Sequence, residues 1–293
     1  MKLSIITINY KKPQLTARCM ASLYKEYKTF FENNEFELII VDNASGDDSV
    51  NLLNKEIVKN SYKNMSVVAH TENNGFGGGN NFGVAHATGD YMLFLNNDTV
   101  VGKGLNNMLF HLVDHPEIGI LGGQLKNMDG SLQSSVGQFY FLPYVFLLML
   151  GMERFEFLET SPDEITKVDW VKGACMMMRK DLFNTLKGFD EKIFMYTEDM
   201  ELCYRAHLIG KDSYFFPQID IRHEDQGSSS RAFAIVQIYK GIIYFYKKHR
   251  SFLELQIVKL LLLTKASLLL LYGRLAKNEY FVTTYEKALS ATR

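Results

Sequence analysis

Residues Tyr91–Thr99 read YMLFLNNDT, an apolar run that stops abruptly at Asn96-Asn97-Asp98. Met92, Leu93, Phe94 and Leu95 show no alternation with polar residues. Both faces of this strand are therefore expected to be buried, as in the middle of a parallel sheet. Ligands of open α/β sheets gather at the carboxyl ends of such strands. A carboxylate flanked by carboxamides at that place can hold a hard cation and its phosphates through oxygen ligands. The competing reading is an Asx-rich turn that caps the next helix, because Asn and Asp favour turns in any case. These nine residues alone do not separate the two.

Outward from this strand, similar β-branched runs lie at Leu3–Ile8, Phe36–Val41 and Ser66–His70. Their spacing of roughly 25–35 residues is what a βαβ unit needs. Helical patterns fit between them at Gln14–Tyr24, Ser49–Val58 and Asn80–Ala87, and a further helix at Lys103–His115 leads to a strand at Ile118–Leu121. The expected class is α/β, with a mostly parallel central sheet flanked by helices. Residues 131–168 show no clear period and read as a loop region with a mobile or acceptor-facing part. Trp170–Met178 reads as one strand, Asp181–Leu186 as a short helix, and Ser213–Phe216 as a strand. Thr197–Leu208 reads as a helix with Thr197 as its N-cap. A polar loop at Gln226–Ser230 precedes a helical remainder, which divides the chain into residues 1–230 and 231–293.

The chain has 293 residues, 47% of them hydrophobic, and a net charge of −1. That excludes a disordered chain, and the overall charge points to no nucleic-acid partner. The balance is uneven: Lys240–Lys277 holds eight basic residues against Glu254 alone, so this segment carries +7 and the remainder −8. A basic, Leu-rich end on an acidic body fits an anionic membrane surface. Three scattered cysteines without a CxxC pair favour a reducing compartment over a disulfide framework. The apolar stretch Leu3–Ile8 precedes Lys11-Lys12, the reverse of a signal peptide, and a cytoplasmic location is expected.

Four polar clusters sit where chemistry is expected. The first strand ends in Thr7-Ile8-Asn9-Tyr10 and the second in Val41-Asp42-Asn43-Ala44-Ser45. Asp42 can accept from a base imide or a ribose hydroxyl, or it can simply build a turn with Ser45. Asn73 to Asn81 is glycine-rich and enters a helix, a setting that favours phosphate. A dinucleotide fingerprint would follow the first strand, yet Thr7–Pro13 has no glycine, which opposes a nicotinamide-dependent oxidoreductase. Glu198-Asp199 opens a helix, where acids complement the dipole, and Asp199 is placed to act as a general base. His223, after a strand and before the Gly/Ser loop, is a candidate metal ligand beside Asp98.

The ordered set Val41–Ser45, Asn74-Gly75-Phe76-Gly77, Leu95–Asp98, Trp170-Val171-Lys172-Gly173-Ala174, Gly188-Phe189-Asp190-Glu191 and Glu198-Asp199 resembles the family-2 glycosyltransferases. These are inverting enzymes of the GT-A fold. The likeness is greatest to the rhamnosyltransferase-like branch, which builds O-antigen and other surface polysaccharides, and it covers about residues 1–230. The resemblance implies nucleotide contacts from Thr7, Asn9, Tyr10, Asp42, Asn74, Gly75 and Asn97. It implies a Mg2+ or Mn2+ ion at Asp98 with His223, Asp199 as catalytic base, and acceptor or sugar contacts from Trp170, Gly173, Ala174 and Glu198. Where relatives carry a DxD acid pair this chain has Asn96-Asn97-Asp98, leaving one carboxylate for the metal. The QxxRW motif of processive synthases is missing, which points to a single addition.

The resemblance implies transfer of a sugar from a nucleoside diphosphate donor to a hydroxyl of a lipid-linked glycan. dTDP-rhamnose is the first donor expected, ahead of UDP-galactofuranose and UDP-N-acetylhexosamines. A homo-oligomer is compatible with this reading. The tail Leu253–Tyr272 is apolar but interrupted by Glu254, Lys259 and Lys265. Its uncharged runs are too short for ~30 Å of hydrocarbon, which leaves two readings: a helix lying on the inner leaflet, the preferred one, or a helix packing on the catalytic domain or a partner subunit. On a helical wheel the two lysines fall about 140° and 20° from Glu254, which predicts an untidy polar face.

Overall fold

The computed structural model describes residues 2–150, 159–224 and 230–292. The sheet begins with β1 (Leu3–Asn9), β2 (Phe36–Asn43), β3 (Met65–His70) and β4 (Tyr91–Leu95), followed by the short β5 (Thr99–Val101). The later strands of the chain are β6 (Ile120–Lys126), β7 (Leu132–Gln133), β8 (Val136–Gly137), β9 (Glu159–Thr160), β10 (Thr166–Val168), β11 (Trp170–Val171), β12 (Cys175–Arg179) and β13 (Ser213–His223). Among the described residues, ten of these strands form one sheet in the main order β10-β13-β6-β12-β4-β1-β2-β3, with β5 and β7 attached at β13 and β6. Four of the seven neighbouring pairs along that order run parallel: β13 with β6, β4 with β1, β1 with β2, and β2 with β3. The remaining strands β11, β8 and β9 make a small second sheet.

The unbroken apolar stretch of β4 is explained by its position. Met92 and Phe94 belong to one core cluster and Leu93 and Leu95 to the other, so helices cover the strand on both sides. One face is covered by α1 (Pro13–Glu32), α2 (Ser49–Lys59) and, after β5, α4 (Leu105–Asp114). The opposite face receives α3 (Gly75–His86), α5 (Leu142–Met149), α6 (Lys180–Thr185), α7 (Glu198–Leu208) and α8 (Arg231–His249). The second cluster runs on without a break into α9 (Phe252–Leu275) and α10 (Glu279–Thr292) through Val258, Leu262, Ala266, Tyr285 and Ala288.

Several expectations need correction. Trp170–Met178 is two strands, because residues 172–174 leave the sheet to form a turn and β12 then enters antiparallel between β4 and β6. Helix α3 begins at Gly75, so the glycine run is itself helical. Residues 131–168 contain α5, begun by Pro143 in its first turn, and strands of two or three residues. Elements that short do not repeat often enough to leave a period. Thr197 is the N-cap of α7 by position, but its side chain makes no capping bond. Of the loop expected at 226–230, only Ser230 lies among the described residues, as the capping residue of α8.

Helix α9 has 24 residues and a mean hydropathy of 1.7 in its most apolar window, enough by length and composition to cross a membrane. Its charges are nevertheless sorted. Glu254 accepts from Arg250 Nε at 3.1 Å, Lys265 donates to the Leu148 carbonyl at 2.6 Å, and Lys259 is half-buried. The exposed side carries Leu253, Ile257, Leu260, Leu268, Leu271 and Leu275, from 40% to 77% exposed. The untidy face expected from the wheel is thus the packed face, and the outer face is mostly apolar, interrupted by exposed Thr264 and Ser267.

Candidate active site

The parallel strands β1, β2 and β4 end at one edge of the sheet, and their last side chains are tied together. Asn9 Nδ2 donates to Asp42 Oδ1 at 2.7 Å, Thr16 Oγ1 donates to Asn9 Oδ1 at 2.9 Å, and Asn97 Nδ2 donates to Thr16 Oγ1 at 2.9 Å. Asp42 also accepts from Ser45 Oγ (2.6 Å) and from the Ser45 backbone N–H (3.1 Å). This buried chain of bonds fixes the tip of β2 to the turn after β4.

Above it lies a cavity of about 480 Å³, lined by Tyr10, Lys12, Asn43, Asn73, Gly75 and Phe76 on one side and by Phe194, Met195 and Phe233 on the other. The N-terminus of α3 borders it. Gly75 has φ +73°, and a Cβ there would stand 1.9 Å from the Phe194 carbonyl oxygen, so only glycine fits. The Phe76 N–H donates to that same carbonyl at 3.0 Å.

A second cavity of about 390 Å³ is lined by Trp170, Lys172, Gly173, Ala174, Glu198, Asp199 and His223, and by Tyr140, Arg231 and Ile238. Asp199 Oδ2 accepts from the Gly173 N–H at 3.0 Å, which joins the start of α7 to the turn between β11 and β12. Burial, and then the charge of Asp199, push the Glu198 carboxyl up to about 8. The two cavities meet at Phe76, Asn96, Asp98, Met195 and Ser230, which line both.

Asp98 stands at that junction, 4% exposed, and its Oδ1 has no hydrogen-bond partner among the described residues. His223 Nε2 is 3.2 Å from it. His223 Nδ1 lies 2.8 Å from Gln133 Oε1, and Asn96 Nδ2 lies 3.1 Å from His223 Nε2. With Nδ1 donating to Gln133 and Nε2 accepting from Asn96, the imidazole presents an acceptor nitrogen beside a carboxylate oxygen. Two acceptors facing each other at this distance fit a cation between them, with Gln133 orienting the imidazole from behind. Among the described residues no group of three or more His, Cys, Asp or Glu could hold a metal, so this pair would need further oxygens from a ligand.

The structure therefore brings Tyr10, Gly75, Asn97, Asp98, Trp170, Gly173, Ala174, Glu198, Asp199 and His223 to the two cavities. Thr7, Asn9, Asp42 and Asn74, expected at the nucleotide, line neither. Thr7 and Asn9 are fully buried in β1, and Asp42 has both oxygens engaged by Asn9 and Ser45. Asn74 directs its side chain against Gly78. Asn43 faces the cavity instead of Asp42, because adjacent residues of a strand point opposite ways, and Asn73, beside Asn74, lines it too. Lys12, Met195 and the α8 residues Arg231, Phe233 and Ile238 were not expected at the site, and nothing in the local sequence of α8 marks it as a cavity wall.

Similar proteins agree with this architecture. The N-acetylglucosaminyl-diphospho-decaprenol L-rhamnosyltransferase of Mycobacterium tuberculosis is 25% identical over 257 residues, covering 78% of either chain. Rhamnosyltransferase WbbL of Escherichia coli K12 is 27% identical over 222 residues, covering 69% of this chain and 79% of that protein. The mannosyltransferase PcManGT from Pyrobaculum calidifontis, solved with GDP-Man and Mn2+, superposes with a TM-score of 0.60 at 16% identity, covering 99% of this chain and 85% of that one. That likeness shows the GT-A fold. Residues 4–186 match the description "Glycosyl transferase family 2", and the chain belongs to that family, in its rhamnosyltransferase-like branch.

Proposed function

We propose that this glycosyltransferase moves a sugar, with inversion, from a nucleoside diphosphate donor to a hydroxyl of a lipid-linked glycan in O-antigen or surface polysaccharide assembly. The observation that carries this reading is the pair of cavities that share a wall at Asp98, with Asp199 on the far side of the wall from Tyr10 and Asn43. A donor in the first cavity and an acceptor in the second would meet at the junction, with nucleophile and leaving group on opposite sides of the anomeric carbon.

In this reading Tyr10, Asn43 and Asn73 take the nucleoside, while the N-terminus of α3 attracts the diphosphate through its dipole. The chain from Asp42 through Asn9 and Thr16 to Asn97 holds the cavity floor. Asp98 and His223 would hold Mg2+ or Mn2+, with the remaining ligands supplied by the donor diphosphate. Bound there, the ion would neutralise charge developing on the leaving diphosphate. Asp199, oriented by the Gly173 N–H, accepts the proton of the acceptor hydroxyl as its oxygen bonds to the anomeric carbon. The bond from that carbon to the diphosphate oxygen breaks, and the nucleoside diphosphate leaves. Trp170 and Tyr140 offer apolar ring surface to the acceptor sugar.

The mostly apolar outer face of α9, extended by exposed Phe146 of α5 and Leu150 just after it, supports peripheral placement on the inner leaflet. dTDP-rhamnose is the first donor to test, because both relatives compared by sequence above are rhamnosyltransferases. Thermal shift with dTDP-rhamnose, UDP-galactofuranose and UDP-N-acetylhexosamines, each with and without Mn2+, should show the largest rise for dTDP-rhamnose with metal. Asp199→Asn should lower transfer by about 10²–10⁴-fold while donor binding is kept. Transfer at the parental rate by that variant, or a product that retains the donor's anomeric configuration, would overturn the reading.

A further inference from the structure

The segment that delivers Asp199 to the second cavity is held between two glycines. On one side, the Phe194 carbonyl occupies the space that a Cβ on Gly75 would need. On the other, Thr197 seats on Gly241 of α8, where an added Cβ would stand 1.9 Å from Thr197 Oγ1 and 2.8 Å from Thr197 Cβ and Cγ2. Between them Tyr196 takes φ +83°, a left-handed conformation that costs a bulky residue free energy and persists only where its surroundings enforce it. Phe233 of α8 packs edge-on against both Phe194 and Tyr196, at centroid distances of 6.2 and 6.4 Å.

The Thr197–Gly241 contact is not a polar one. Thr197 is fully buried, its hydroxyl has no hydrogen-bond partner among the described residues, and it does not cap α7. Its side chain acts through shape. Thr197 is two residues before Asp199, so a displacement at the seat is carried directly to the first turn of α7.

We infer that Gly241 is a positioning residue for the reaction: by admitting Thr197 against the axis of α8, it sets where the Asp199 carboxylate stands relative to the cavity junction. This rests on Asp199 being the proton acceptor. Helix α8 thereby acts at a residue that touches neither cavity, while Phe233 and Ile238 on the same helix line the donor and acceptor sides.

The test measures kcat and KM for donor and acceptor in the full chain carrying Gly241→Ala, with calorimetric donor binding and a melting curve alongside. A misplacement of about 1 Å costs up to ~100-fold in rate. The expected result is therefore a loss of that order in kcat, with donor Kd and KM within about twofold of the parent. The double variant Gly241→Ala/Thr197→Gly, which removes the opposing atoms and leaves a residue tolerated at an N-cap, should recover most of the lost kcat. If Gly241→Ala does not fold, Thr197→Val presses the same seat with a methyl group in place of the hydroxyl and should lower kcat several-fold at constant donor KM. A folded Gly241→Ala protein with parental kcat overturns the inference. So does a loss that falls equally on donor binding, or one that Thr197→Gly fails to relieve. Asp199→Asn with parental activity would instead overturn the assignment of the base, whatever Gly241→Ala does.

Discussion

Glu198 sits in the first turn of α7 with its side chain almost wholly removed from water, next in sequence to Asp199. Burial and the neighbouring charge raise its carboxyl from an ordinary 4.5 to about 8. A proton on Glu198 at neutral pH removes one of two adjacent negative charges from the second cavity. The effect on folding has a definite sign. Between pH 4.5 and about 8 the folded chain holds a proton that the unfolded chain has released, so stability falls as pH rises through that window and levels off above it. Glu198→Gln keeps the shape and removes the titration. Its melting temperature should fall less than the parent's between pH 5 and pH 8, and parallel melting curves across this range would exclude the raised carboxyl. At this scale the sequence was most informative where chemistry demands one residue type. Asp98, Asp199 and His223 stood out as the groups able to take a metal or a proton. Asp42 did not reveal that its oxygens are committed to Asn9 and Ser45, since an Asx turn and a ligand contact use the same residue in the same place.

Helices α7 and α8 are joined by a buried charge cluster that begins two residues beyond Asp199. Glu201 is fully buried and accepts from Arg205 Nε at 2.9 Å and from Lys248 Nζ at 2.7 Å, and His249 Nε2 lies 2.9 Å away. Lys248 also donates to Asp190 at 2.6 Å, and Tyr244 to the same oxygen at 2.8 Å. Burial alone would raise the Glu201 carboxyl. The bond to His249 and the charges of Arg205 and Lys248 outweigh it and hold the carboxyl below its ordinary value. Removing one member of a buried ionic group leaves the others unpaired, at a cost of about 3–5 kcal/mol. Glu201→Gln should accordingly lose stability of that order in urea unfolding at pH 7, and a loss under 1 kcal/mol would show that the cluster is not cooperative. The parallel strands were legible because burial on both faces leaves an unbroken apolar run. The antiparallel β12 was legible as apolar, but its separation from β11 was not, because Lys172-Gly173-Ala174 turns for the sake of distant partners, the Asp199 carboxylate and the Asn96 N–H. The role of α8 was hidden for the same reason: its partners Thr197, Glu201 and Asp190 lie 44 to 58 residues away in sequence.

Across the whole molecule, the sheet edge gathers the polar groups and the terminal helices gather exposed apolar surface. The outer face of α9 is a leucine-rich stripe, broken by Thr264 and Ser267, whose only charge, Arg274, lies near its end. Burying such a stripe in a lipid interface is worth about 25 cal/mol for each Å² removed from water. Replacing Leu260 and Leu268 together by Glu should reduce sedimentation with phosphatidylglycerol vesicles several-fold and leave transfer to a water-soluble acceptor unchanged. Undiminished vesicle binding would move the docking surface elsewhere.

The inward turn of Glu254, Lys259 and Lys265 has a consequence before the protein is folded. In the nascent chain these three have no partners, and the segment is met only as a run of 24 residues rich in leucine. A charged residue near the centre of such a run adds about 2.5–3.5 kcal/mol to the free energy of insertion by the translocon. Glu254, which later pairs with Arg250, Lys265, which later bonds the end of α5, and Lys259 therefore oppose diversion of the segment into the bilayer during synthesis. They keep a helix with the length of a membrane span available for packing on the catalytic unit.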